Sequence, residues 1–166
     1  MDNAPEMKQT LLQEKYPVYT LEVDKIECRF ADIDAIMGHL RDCVEGHKVA
    51  RMIGEFDHFA HTRALPEGEI AGNIRAAKHI VFCFGTHLPN PHVMAVRPRS
   101  IGVADMGDRF VISFLEAPMP LANNAMETWV KAVVAHPPPL QPDLGRGDTL
   151  AAKGGRAGLA ARANLL

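Results

Sequence analysis

Three consecutive prolines at residues 137–139 set the strongest limit on how this 166-residue chain folds. Proline lacks a backbone N–H and has a fixed φ, so this run continues neither a helix nor a central strand. Beyond it the sequence is rich in Gly, Ala and Arg and contains no aromatic residue. We therefore predict one folded domain over residues 15–136, an N-terminal extension over 1–14 and a disordered tail over 137–166.

Charge and hydropathy exclude several classes of protein. The chain carries 18 Lys and Arg against 20 Asp and Glu, a formal net charge of −2, whereas nucleic-acid binding requires a dense basic surface. No apolar run approaches the roughly 18 residues that span a bilayer, and the acidic start does not resemble a secretory signal. The three cysteines, Cys28, Cys43 and Cys83, are far apart and predict free thiols. We expect a soluble, cytoplasmic protein that binds neither nucleic acid nor membrane.

Hydrophobic periodicity predicts an α+β fold. Within residues 15–136 the order is strand, helix, strand, short helix, strand, short helix, two strands and helix. The best-defined helix starts after Asp32 as its N-cap and ends near Gly46. Residues 49–59 read as a strand, and Pro66 can open the short helix that follows, through Ala77. We predict a two-layer sandwich with a mixed or antiparallel sheet of about five strands and helices mainly on one face.

Three short segments resemble a bacterial family of proteins. They are Asp57-His58, the run Phe82-Cys83-Phe84-Gly85 followed by Pro89-Asn90-Pro91, and residues 110–114 running into Pro118. Over residues 17–134 the chain resembles the bacterial domain-of-unknown-function family numbered 302. That resemblance implies a compact two-layer α+β fold and a dimer, and it implies no activity. Residues 86–88 depart from that family's pattern, and residues 56–61 and 97–103 look more like a separate uncharacterised bacterial family.

Histidines are concentrated in one window. Five of the eight lie between residues 58 and 92, and imidazole, carboxylate and thiolate groups bind Zn, Ni, Cu or Fe, or haem iron. Asp57, His58, His61 and His87 are the candidate metal ligands. In a helix His58 and His61 would share a face, whereas in a strand Asp57 would pair with His61; the strand is favoured. The alternative is a set of surface or capping residues.

Arginines supply a second candidate site. Arg97 and Arg99 flank Pro98 and precede Ser100 and Gly102. Guanidinium groups bind carboxylate or phosphate through paired hydrogen bonds, and the serine adds a hydroxyl donor. Surface ion pairs with acidic residues are the alternative. No glycine-rich nucleotide-binding motif is present.

These observations leave three hypotheses for function open. The first is a small dimeric domain, not an enzyme, that binds a ligand or metal in a His-rich cleft. The second is an enzyme acting on a small anionic substrate, with His58 or His61 as base and Arg97 or Arg99 as anchor. The third is a structural or assembly protein. A homodimer is also expected on physical grounds, because an apolar strand at a sheet edge is normally paired or covered.

Overall fold

A computed structural model describes residues 5–12 and 14–135 as one six-stranded antiparallel sheet with three α-helices. The strands lie in the order β1-β2-β6-β5-β4-β3. In chain order the elements are β1 (Lys8–Leu12), β2 (Tyr16–Asp24), α1 (Ile33–Glu45), β3 (Ala50–Asp57), α2 (His58–Ala64), β4 (Ala76–Phe84), a 3-10 helix (Pro91–Val96), β5 (Arg99–Asp105), β6 (Arg109–Leu115) and α3 (Pro120–Lys131).

The α+β class is confirmed, while the sheet has six strands rather than about five. The additional strand is β1, which pairs antiparallel with β2 and lies within the segment that we had assigned to an N-terminal extension. All strand pairs are antiparallel, so the sheet is not mixed. The predicted disordered tail, residues 137–166, lies outside the described residues.

Helix α1 forms where local signals place it. The Asp32 carboxylate accepts a hydrogen bond of 2.8 Å from the Ala35 backbone N–H, and Gly46 is the C-cap residue. An apolar stripe that includes Ile36 and Leu40 is buried, because residues three and four apart share one face of a helix.

The hydrophobic core lies between one face of the sheet and helices α1 and α3. Alternate residues of β4 are fully buried there, namely Ile80, Phe82 and Phe84, and Trp129 of α3 packs against both phenylalanine rings. The residues between them, Val81 and Cys83, are only half-buried on the opposite face. The structure therefore covers β4 fully only on its core face.

Helix α2 differs in position from the short helix that we predicted after Pro66. It occupies His58–Ala64, directly after β3, and Asp57 is its N-cap. An aspartate that can accept a hydrogen bond from the first helical turn favours a helix start, and this local cap outweighs the extended pattern that precedes it. Helix α2 has no buried residue.

All three cysteines are free, as their spacing predicted. Within residues 5–12 and 14–135, no helix is both long enough and apolar enough to cross a membrane.

Candidate functional site

Asp57, His58 and His61 lie together where β3 meets α2. The Asp57 carboxylate accepts a hydrogen bond of 2.7 Å from the Ala60 backbone N–H, so its position is explained by helix capping. Because His58 and His61 are helical, they share a face, and their rings lie 4.6 and 5.3 Å from the ring of Phe56. The extended backbone that we favoured for this segment, with Asp57 paired to His61, is wrong.

A further histidine, His79 of β4, completes this group. Its ring centroid lies 4.5 Å from that of His58. Burial, together with the nearby His58, lowers the pKa of His79. The sequence window included His79, but only the pairing of β3 with β4 places it beside α2, so sequence spacing gave no reason to select it.

His87 lies far from the other three predicted metal ligands. It follows the opposite end of β4, and the six residues from His79 to Phe84 alone span roughly 17 Å of extended chain. The structure therefore brings Asp57, His58 and His61 together and places His87 elsewhere. Among residues 5–12 and 14–135, no group of three or more His, Cys, Asp or Glu side chains is arranged to hold a metal ion.

The end of β4 that carries His87 opens into a cavity of about 450 Å³. We call it the Arg97–Arg99 cavity. Its walls come from the C-terminal end of β4, the 3-10 helix, the start of β5 and the segment that leads into α3. Apolar side chains form most of the wall: Val49, Phe84, Pro89, Val93, Val96, Ala117, Pro118, Met119 and Leu121. The polar members are Thr86, His87, Arg97 and Arg99, and none of the lining residues is acidic.

Arg99 is the most unusual residue of this cavity, because it is charged and only 8% exposed. Its guanidinium group donates hydrogen bonds to the backbone carbonyls of Val96, at 3.2 Å, and Leu115. Its Nε atom is buried and has no hydrogen-bond partner in the described structure. Burial lowers the pKa of Arg99. These contacts hold the guanidinium in place but do not neutralise its charge.

Arg97 approaches the same cavity across Gly85. One terminal nitrogen of Arg97 lies 2.7 Å from the position that a Cβ would occupy at Gly85, whose φ is +116°. A side chain at residue 85 would both strain the backbone and displace the arginine. In the described part of the chain, neither Arg97 nor Arg99 forms an ion pair with a carboxylate.

The two other polar residues considered for these sites have different positions. His87 lies on the exposed rim, where its Nδ1 atom is 2.6 Å from the Thr86 hydroxyl oxygen. Ser100 is exposed and pairs with Val81, so it lies on the opposite face of the sheet from Arg99. The predicted anion site therefore keeps Arg97 and Arg99 in one cavity and does not include Ser100.

Comparison with known proteins gives one match. The model of a family of unknown function, DUF6858, matches residues 7–135, which is most of the chain. The resemblance to the family numbered 302 is not confirmed, although an uncharacterised family is what the sequence indicated. No curated protein and no solved structure matches the chain.

Proposed function

Because the chain belongs to the family of unknown function DUF6858, its relatives supply no activity, and we propose from its own geometry that it binds a small amphipathic organic anion. The binding site is the Arg97–Arg99 cavity. The ligand class is a carboxylate with an apolar body, held by the guanidinium groups at one end and the apolar wall at the other.

The observation that carries this proposal is the buried guanidinium of Arg99 without a carboxylate partner in the described structure. Moving a charge out of water costs several kcal/mol unless an opposite charge and well-formed hydrogen bonds offset that cost. Two backbone carbonyls supply only part of the offset. An anion entering the cavity would supply the rest, with Arg97 as the second cationic group.

The apolar wall favours one kind of anion over others. A ligand with several charges, such as a nucleotide, would leave polar groups unsolvated against Phe84, Val96 and Met119. A monocarboxylate with a short hydrocarbon or aromatic body would bury that body against the same side chains. A cavity of about 450 Å³ is within the size range of small-molecule sites.

Binding is better supported than acid–base catalysis at this site. The enzyme hypothesis requires His58 or His61 to act as a base beside the arginine anchor. Those two histidines lie at the start of β4, on the α2 side, whereas the arginines lie beyond its end. The lining residues offer only His87 as an imidazole and contain no carboxylate.

Isothermal titration calorimetry on the full chain at pH 7 would test the proposal with octanoate and octan-1-ol as probes. The two probes share a hydrocarbon body and differ in charge. We expect octanoate to bind at least tenfold more tightly, as for hydrogen bonds between charged groups. Equal affinity for the two probes, or no heat with either, would overturn the proposal.

Variants at the rim separate binding from folding. Leu121 is 58% exposed, so Leu121→Glu should fold normally and place a negative charge at the cavity mouth. We expect Leu121→Glu and Arg97→Gln, each as a single variant, to weaken octanoate binding roughly tenfold. Leu121→Gln controls for polarity, and Arg63→Gln removes one exposed arginine from the distant helix α2. Unchanged octanoate affinity in both Leu121→Glu and Arg97→Gln would refute the site.

A further inference from the structure

Strand β1 is an edge strand whose outer side is unpaired in the part of the chain that the structure describes. Its five residues pair with β2 on the inner side, from Lys8 opposite Thr20 to Leu12 opposite Tyr16. All five are exposed, including Leu11 at 63% and Leu12 at 58%. An edge of this kind presents a row of backbone N–H and C=O groups that can pair with another extended chain.

The opposite edge of the sheet, β3, is protected against such pairing. Its register with β4 shifts between Met52 and Gly54, and a bulge of this kind twists an edge and interrupts the row of hydrogen-bonding groups. Helix α2 also follows β3 directly. Strand β1 has no proline and no bulge, and its one charged residue is Lys8 at the strand's start.

The sequence of β1 is complementary to itself in an antiparallel arrangement. A two-fold axis at Thr10, the middle residue, is the arrangement that pairs all five residues. It sets Lys8 opposite Leu12, Gln9 opposite Leu11 and Thr10 opposite Thr10 of the second copy. No like charges face each other, and threonine pairs are among the favourable cross-strand neighbours.

We propose that two copies of this chain associate through antiparallel pairing of β1 with β1, which joins their six-stranded sheets edge to edge. The exposed ring of Tyr16, which is the neighbour of Leu12 across the β1–β2 pair, extends the apolar surface beside the new strand pair. The two copies then contribute the same surface patch to this interface, as two-fold symmetry requires.

A charge exchange at residue 10 tests this arrangement with the full chain. On the axis, Thr10→Lys sets Lys opposite Lys and Thr10→Glu sets Glu opposite Glu, so sedimentation velocity should show each variant dimerising several-fold more weakly than wild type. Mixing the two variants sets Lys opposite Glu, and we expect the mixture to recover the dimer. Ile53→Lys, on the exposed surface of β3, should leave the dimer unchanged.

Three results would overturn the proposal. They are a wild-type mass that stays near 18.2 kDa at high concentration, single variants that dimerise as wild type does, and a mixture no more dimeric than the single variants. Loss of the dimer only when residues 137–166 are deleted would assign the interface to that segment instead. If circular dichroism shows that a residue 10 variant folds poorly, Leu12→Lys replaces it, because residue 12 faces Lys8 of the second copy and the two lysines repel each other. Adding Lys8→Glu to Leu12→Lys should then restore the dimer.

Discussion

The imidazole of His79 on β4 lies across Gly102 on β5, with its Nε2 atom 2.8 Å from the position that a Cβ would occupy at that glycine. The two residues are direct partners in the antiparallel register, so they share the face of the sheet opposite the core. The missing side chain at Gly102 is what allows the ring of His79 to lie against the sheet, beside His58.

This contact predicts that Gly102→Ala destabilises the fold. The added methyl group would collide with the His79 ring, and crowding of this kind costs about 1–3 kcal/mol. Urea denaturation of the variant and of wild type measures the difference in unfolding free energy. Gly54→Ala is the matched control, because no atom lies within 4 Å of a Cβ built at Gly54.

A double variant tests the cause. In His79→Ala/Gly102→Ala the collision is absent. We therefore expect the double variant to lose less unfolding free energy than the sum of the losses in the two single variants, by about 0.5–3 kcal/mol. If they are additive, Gly102 is required for some other reason.

Local signals account for the parts of the fold that the sequence predicted correctly. Helix α1 is specified by an N-cap, an apolar stripe and a C-terminal glycine, all within residues 32–46. Helix α2 has no apolar stripe and no buried residue, and its only local signal is the Asp57 cap. The extended pattern that precedes it therefore predicts a strand through residue 59, whereas the helix begins at His58. Strand β1 was missed because its exposed residues show no alternation between an apolar and a polar face.

The candidate site could be predicted in part, because only some of its residues are brought together by closeness in the sequence. Arg97 and Arg99 are two residues apart in the sequence, and both line the same cavity. Ser100 is adjacent to Arg99 within β5, so its side chain points to the other face, which alternation along a strand dictates once the start of β5 is known. The separation of His87 from His58 depends on the direction of β4, which only the pairing of strands establishes.

Asp57 provides a second prediction, which separates capping from ligand binding. Asp57→Ala should loosen α2, because loss of an N-cap side chain costs about 1 kcal/mol. Asp57→Asn should retain most of the helix, since the amide oxygen can still accept a hydrogen bond from Ala60. Amide hydrogen exchange at residues 58–64 measures the local change. Equal protection in the alanine variant and wild type would contradict the capping role.

Gly38 in the middle of α1 leads to a third prediction. A Cβ built there meets no atom within 4 Å, and the residue is helical. Alanine has the higher helix propensity, so Gly38→Ala should stabilise the protein by about 0.5–1 kcal/mol. Thermal unfolding monitored by circular dichroism measures this gain. Gly46→Ala is the contrasting variant, because its Cβ would lie 3.1 Å from the Asp42 carbonyl oxygen, and we expect it to give no such gain.

The lowered pKa of His79 gives a fourth prediction, which concerns pH. Burial first, and His58 second, lower its pKa in the folded chain, whereas the unfolded chain binds the proton near pH 6.5. Below that pH the unfolded state binds more protons than the folded state. The stability that is present at higher pH is therefore lost as the pH falls from about 6.5 through the lowered folded pKa.

Urea denaturation between pH 7.5 and pH 5 would measure this loss in wild type and in His79→Gln. Because glutamine does not titrate, the unfolding free energy of the variant should fall less steeply, by up to about 1.4 kcal/mol per pH unit. His92→Gln, at an exposed histidine of the 3-10 helix, should keep the wild-type slope. The Asp105 carboxyl does not enter this window: burial would raise its pKa, but hydrogen bonds from Lys25 and the Gly107 backbone hold that pKa below its usual value. A wild-type slope in His79→Gln would show that the proton is taken up at another residue.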